Sequence, residues 1–431
     1  MNLLLKNGRV IDPSQKIDAK LDILIEKGKI VEIGHKLDNK TKDIIDLSGK
    51  IICPGFLDIH VHLREPGYEY KETIKTGSYA AAHGGFTSIA CMPNTNPVAD
   101  NQEVIRFITS RAKEEGIVNV FPVGAISKGL KGEELTEMGE LFESGVKALS
   151  DDGKCIQNAD LIRRAFEYAK LFDLNIISHC EDFNLSKDGM INEGFISTKL
   201  GLIGIPKAAE EVIVARDIQL AEFTKSKLHI AHISSFYSVE LVRNAKKRGV
   251  NVTAEVTPHH LVLDESLAEG YDTNTKVNPP LRGEDDRVAL VEGLRDGTID
   301  CIASDHAPHA RTDKEVEYDR AAFGIAGLET SISVILSELV HRKKITLTEM
   351  VEKFTLNPSR VLNLDKGILQ KGKKADITVL DLEKESIVNP DLFFSKGRNT
   401  PFAGWKVKGM PVMTIVNGEI VMQDGRVKEK I

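Results

Sequence analysis

The sequence is poor in several things, and each scarcity removes a class of protein. Cysteine occurs only five times in 431 residues, at positions 53, 91, 155, 180 and 301, scattered through apolar segments. An odd, dispersed set does not make a disulfide framework and reads as reduced thiols in the cytoplasm. Positive charge is not in excess: 57 Lys and Arg stand against 64 Asp and Glu, a net charge of −7. A nucleic-acid partner, which would call for a basic face, is not expected. No apolar run approaches the roughly 20 residues of a membrane span. Lys6 interrupts the N-terminal apolar run MNLLL too early for a secretory leader. Repeats and low-complexity tracts are missing as well.

What remains is a composition of 41% hydrophobic and 28% charged residues, ordinary for a folded globular chain. The length can bury a large core and suggests two to three domains. The two ends resemble each other. Residues 2–11 and 21–33 are β-rich runs broken by Asn-Gly and Lys-Gly, which read as hairpins, and 375–382 and 412–422 repeat the pattern. A small β-sandwich built from both termini, residues 1–51 and 366–431, is therefore expected. Between them, over 52–365, strand-like runs at 55–62, 85–93, 117–123, 145–150, 174–179, 227–233, 250–256 and 299–304 alternate with helix-like stretches. Eight such units fit an α/β fold of the (β/α)8 TIM-barrel type. A doubly wound open sheet is the alternative; no Gly-x-Gly-x-x-Gly follows the first strand to support its dinucleotide-binding form.

The histidines carry the chemistry. His60 and His62 end the first strand as His-x-His, a spacing that points both rings to one side. His179 ends the fifth strand, His229 and His232 lie on the sixth, Asp151 and Asp152 follow the fourth, and Asp305 ends the eighth. These are C-terminal strand ends, where a barrel carries its active site. Imidazoles with carboxylates suit Zn²⁺ or a similar divalent ion, and the set exceeds one tetrahedral site, so two metals are expected. A lone histidine on a strand is ordinarily a satisfied core or surface group; the weight rests on the constellation. His35, His83 and His341 read as structural or solvated. His259 and His260, after strand seven, read as supporting or structural. Asp305, beside a metal pair, is placed to act as a general base.

Together these residues resemble the amidohydrolase superfamily. The finer motifs resemble dihydroorotases of the bacterial type I group: DIHVHLREPG (58–67), CMPNTNP (91–97), LSDDGK (149–154), SHCED (178–182), GIPKAAEE (204–211), HIAHISS (229–235), VTPHHL (256–261), NPPLR (278–282), SDHAPH (304–309) and FGIAGLET (323–330). The resemblance implies a reversible, zinc-dependent cyclisation of N-carbamoyl-L-aspartate to L-dihydroorotate in pyrimidine biosynthesis, with two Zn²⁺ per subunit. It implies His60, His62, His179 and His232 as metal ligands, Asp152 as the bridge, and Asp305 as last ligand and catalytic acid/base. His229 then belongs to the core or to the layer behind the ligands. Arg64, Asn94 and His309 would hold the substrate carboxylate, and Asn278 with the backbone at Phe323 and Gly324 would contact the ring. Residues 310–322 would form part of a mobile loop at the mouth. A homodimer and a complex with aspartate transcarbamoylase are the partner expectations. Related hydrolases bridge their metals with a carboxylated lysine on strand four. Lys147 lies there, but the Ser-Asp-Asp-Gly run favours the aspartate type. The rival readings are another cyclic amidohydrolase (dihydropyrimidinase, hydantoinase or allantoinase) and a non-catalytic scaffold for aspartate transcarbamoylase.

Overall fold

The computed structural model describes residues 2–37 and 43–430. Strands β1 (Asn2–Asp12), β2 (Ile17–Glu26), β3 (Lys29–Gly34), β4 (Asp43–Asp46) and β5 (Ile51–Pro54) start a terminal sheet. Lys27 and Gly28, both at positive φ, turn the β2–β3 hairpin, the two-residue connection that matches strand twist. Asn7-Gly8, which the sequence also suggests as a hairpin turn, is instead a bulge inside one continuous strand. Asn7 sits at φ 64°; its amide donates to Asp22 Oδ1 and its Nδ2 to Asp46 Oδ1. Partners on both neighbouring strands absorb the extra residue, and the chain does not reverse.

The barrel strands follow: β6 (Phe56–Val61), β7 (Phe86–Cys91), β8 (Asn119–Pro122), β9 (Ala148–Ser150) and β10 (Asn175–Ser178). After a two-residue pair, β11 (Ile191–Asn192) and β12 (Gly204–Ile205), come β13 (Leu228–Ile230), β14 (Val252–Val256) and β15 (Cys301–Ile302). β6–β7–β8 form one parallel ladder, and β9–β10–β13–β14–β15 another. Two bridges close the ring: Gly124 to Leu149, and Val61 to His306, beside a bond from the His62 amide to the His306 carbonyl at 2.8 Å. The eight strands and their intervening helices, among them Gln102–Glu115, Ala159–Lys170, Ala208–Thr224 and Glu284–Arg295, are those expected, with strand ends trimmed.

β16 (Ile377–Ile387), β17 (Lys406–Val416), β18 (Glu419–Gln423) and β19 (Arg426–Val427) complete the terminal sheet, β16 pairing with β5. The two layers are thus one continuous sheet curled over its own core of Leu3, Leu5, Ile23, Ile377, Val379 and Ile415. The curl brings the β2–β3 turn against the β17–β18 turn: a Cβ on Gly28 would lie 2.5 Å from the Asn417 carbonyl oxygen.

Inside the barrel, Leu57, Ile59, Ala90, Met92, Val123, Ala148, Ile177, Ala231, Cys301 and Ala303 form one apolar cluster. They come from, or directly follow, seven of the eight strands. β14 contributes none of them. Its Val252, Ala254 and Val256 join the outer core under the helices, so alternation turns Thr253 and Glu255 inward.

Candidate metal centre

Three backbone devices aim the site. The ladder between β6 and β7 slips between Asp58 and Val61, which lets His60 and His62 face the interior above Leu57 and Ile59. After β13, His232 adopts φ 29°; after β15, Asp305 adopts φ 46°. Such conformations cost a non-glycine residue about 1–3 kcal/mol and cluster where function requires them. β9 ends at Ser150 and the chain turns at Asp152 and Gly153, which brings Asp152, and not Asp151, to the histidine rings. Asp151 is spent on the barrel wall, accepting the Ile126 amide at 2.7 Å and the Ser127 amide at 3.0 Å. Lys147 is half-buried at the opposite end of the strand and takes no part in the site.

The aimed groups converge. Asp152 Oδ1 lies 3.2 Å from His60 Nε2, 3.7 Å from His179 Nδ1 and 3.6 Å from His232 Nε2, and its Oδ2 is 3.5 Å from His62 Nε2. Asp305 Oδ1 lies 3.2 Å from His62 Nε2 and 3.6 Å from His60 Nε2. One carboxylate therefore faces all four rings, as a bridge between two ions requires. All six side chains are buried. Burial works against charge on Asp152 and Asp305, but the imidazoles outweigh it and hold both carboxyls below the ordinary range.

The donor set fits a divalent metal. His60 Nε2 and Asp152 Oδ1 are buried and have no hydrogen-bond partner among the described residues. Two groups, His60–Asp152–His232 and His60–His62–Asp305, each bring their ligand atoms within 4.8 Å of one another. Nitrogen and carboxylate donors with no thiolate suit zinc or a similar ion.

The proposed carboxylate cradle lies beside this cluster. Arg64, at φ 62°, donates from Nε to the Pro308 carbonyl at 3.3 Å and places Nη2 3.3 Å from His309 Nε2. Burial, then Arg64 and Lys71, push His309 down to about 3, so its ring is neutral. His309 Nε2 donates to the Phe323 carbonyl at 2.9 Å, and Lys71 Nζ lies 3.3 Å from Nδ1. Asn94 turns its Oδ1 to His62 Nδ1 at 2.9 Å. Asn278 donates to Glu181 at 2.9 Å, and both line, with Phe323 and Lys276, a cleft of about 530 Å³. Gly324 has φ 137°, and a Cβ there would meet that of Ala307 at 2.7 Å, so a side chain is excluded from this wall. Asp319, within 310–322, lines the same cleft. Lys314 Nζ donates to the Ala322 carbonyl at 2.6 Å, and Lys276 Nζ to that of Tyr318 at 2.7 Å.

Comparison with known proteins adds the family. Residues 49–238 match a family model described as dihydro-orotase-like, and 230–422 one described as the amidohydrolase family. The dihydroorotase of Syntrophus aciditrophicus is 55% identical over 98% of this chain and 100% of its own; that of Pelotomaculum thermopropionicum is 56% identical over 98% and 99%. The chain belongs to the dihydroorotase family. Among solved structures, the L-hydantoinase (dihydropyrimidinase) of Arthrobacter aurescens superposes with a TM-score of 0.91 at 26% identity, covering 100% of this chain and 98% of that one. Dihydroorotase-like sequence thus lies on a scaffold shared with hydantoinases.

Two residues escape the sequence reading of this dihydroorotase-family site. Glu181 accepts from His179 Nε2 at 2.9 Å, and Glu255 from His60 Nδ1 at 2.6 Å. A glutamate within the β-branched, largely buried strand VTAEV was the available signal for the second. His229 lies behind the candidate ligands, with Nε2 3.1 Å from Glu255. His260 is tied to Thr257 and to the Pro279 carbonyl, whereas His259 Nε2 is buried without a hydrogen-bond partner among the described residues. His306, next to Asp305, turns away to Glu72 at 3.2 Å.

Proposed function

We propose that the chain is a zinc-dependent dihydroorotase, with two Zn²⁺ per subunit, interconverting N-carbamoyl-L-aspartate and L-dihydroorotate for pyrimidine synthesis. The observation that carries the substrate class is the Arg64 guanidinium against His309 at the edge of the ligand cluster. Dihydroorotate differs from uncharged cyclic amides by a ring carboxylate, and a guanidinium matches that group in bidentate geometry. Identity above 50% to dihydroorotases supports the same reading over the hydantoinase one. The complete ligand set disfavours a scaffold without activity.

When bound, the divalent ions lower the pKa of water and polarise the amide carbonyl. The protein's own residues do the rest. Arg64, His309 and the Asn94 amide nitrogen hold the carboxylate. Asn278 and the backbone at Phe323 and Gly324 hold the ring. Asp305 takes the proton of the attacking water and returns it to the leaving ring nitrogen, and ring closure runs the same path backwards. The five cysteines are buried free thiols, which suits the cytoplasm. Hydrolysis of dihydroorotate, dihydrouracil and allantoin, assayed side by side on zinc-loaded protein, tests the reading. Turnover should be greatest on dihydroorotate; a preference for either other ring overturns it.

A further inference from the structure

Strand β14 adds nothing to the apolar cluster inside the barrel and turns a carboxylate inward instead. Glu255 is fully buried on β14, and among the described residues no Lys or Arg pairs with it. Its bonds go elsewhere. Oε1 accepts from His60 Nδ1 at 2.6 Å and from the His232 backbone amide at 3.3 Å. Oε2 accepts from His229 Nε2 at 3.1 Å, and His229 Nδ1 is in turn 2.8 Å from Thr253 Oγ1. One carboxylate therefore grips two candidate ligands, one by its ring and one by its main chain.

Each grip has a consequence. A carboxylate accepts but does not donate, so His60 must carry its proton on Nδ1. That leaves the Nε2 lone pair facing Asp152, the orientation ligation needs. The His232 amide belongs to a residue at φ 29°, a conformation that persists only where its surroundings hold it. His62 and His179 have outer partners too, Asn94 and Glu181, but those lie at the rim and each touches one ligand ring.

We propose that Glu255, backed by His229, is a positioning residue for the metal centre, fixing the His60 tautomer and the His232 backbone together. The inference rests on the metal reading above. Replacing a partner of a metal-bound histidine typically costs 10- to 100-fold in metal affinity.

The test measures zinc affinity of apo-protein by competition with a chromophoric chelator, alongside thermal unfolding of the same apo-protein. Glu255→Gln removes the charge at constant shape. Glu255→Asp keeps the charge but falls short of His60. Both should weaken zinc binding by about 10- to 100-fold while the apo-protein remains folded. A glutamate that merely braces the barrel would lower the unfolding temperature and leave zinc affinity of the folded protein unchanged, and that result overturns the proposal. If Glu255→Gln does not fold, unchanged affinity in Glu255→Asp overturns it equally. Wild-type protein that takes up no zinc would instead overturn the metal reading itself.

Discussion

His179 Nδ1 lies 2.9 Å from His232 Nε2, and the two rings stand edge to face on neighbouring strands. With its other nitrogen donating to Glu181, a neutral His179 turns a lone pair toward His232. A cation held there would need lone pairs from both rings, so it would compete with protons for the site.

Zinc uptake should accordingly weaken as pH falls. Burial opposes protonation of His60 and His179, but the neighbouring carboxylates outweigh it and raise both rings above the ordinary histidine value. Protons thus compete for the apo site up to and beyond neutrality. Zinc affinity should rise steadily across pH 6–8 in equilibrium dialysis, and a flat profile would contradict the ligand assignment. His60→Ala or His62→Ala should lose metal and activity together and leave the barrel folded, because its stability rests on the apolar core.

Asp305 offers a sharper test of chemistry. Asparagine keeps its size but does not take up a proton at neutral pH. Acid/base catalysis is typically worth about 10²–10⁴-fold, so Asp305→Asn should lower kcat by that much. Its zinc content, measured in parallel, separates lost proton transfer from lost ligation. Turnover near wild type would remove Asp305 from the proton path.

The parts legible in the sequence are those where a local pattern maps onto one physical constraint. Parallel barrel strands are buried on both faces, so they read as apolar runs, and the residues ending them lie on one rim. The choice between the two aspartates rests on the family resemblance and not on the pleat, because the strand ends at Ser150 and the chain turns at Asp152. Asn7-Gly8 misleads because the same dipeptide suits a bulge and a turn, and only Asp22 and Asp46, distant in sequence, select the bulge. The partners of Glu181 and Glu255 are not legible for a related reason. Nothing within strand β14 states that Glu255 meets His60, 195 residues away.

The rim loop has its own pH signature. Burial, reinforced by Lys276, pushes Lys314 down to about 7. The unfolded chain keeps that proton up to the ordinary lysine value of about 10.4. Between these limits the unfolded state binds more protons, so stability rises with pH, by at most about 1.4 kcal/mol per unit for this group. Lys314→Met should flatten that rise. The gain in Tm from pH 7 to pH 9 should be smaller in the variant than in the wild type; equal gains would mean that Lys314 titrates normally.

Arg64 is the test of the proposed substrate. Its side chain bonds the Pro308 carbonyl and meets His309, whereas Glu65, the adjacent acid, is engaged elsewhere with Arg111 at 3.1 Å and the Ile74 amide at 2.8 Å. Arg64 is thus not spent on its neighbour and can meet an incoming carboxylate. Removing one partner of a desolvated charge pair costs about 2–5 kcal/mol. Arg64→Met should therefore lower kcat/KM on dihydroorotate by about 30-fold to several thousand-fold. Zinc content should hold, because Arg64 is not a ligand. Slow turnover of dihydrouracil, which lacks the carboxylate, should fall far less. Equal losses on the two substrates would show that the guanidinium does not anchor the carboxylate, and the hydantoinase-like specificity suggested by the shared scaffold would then gain ground.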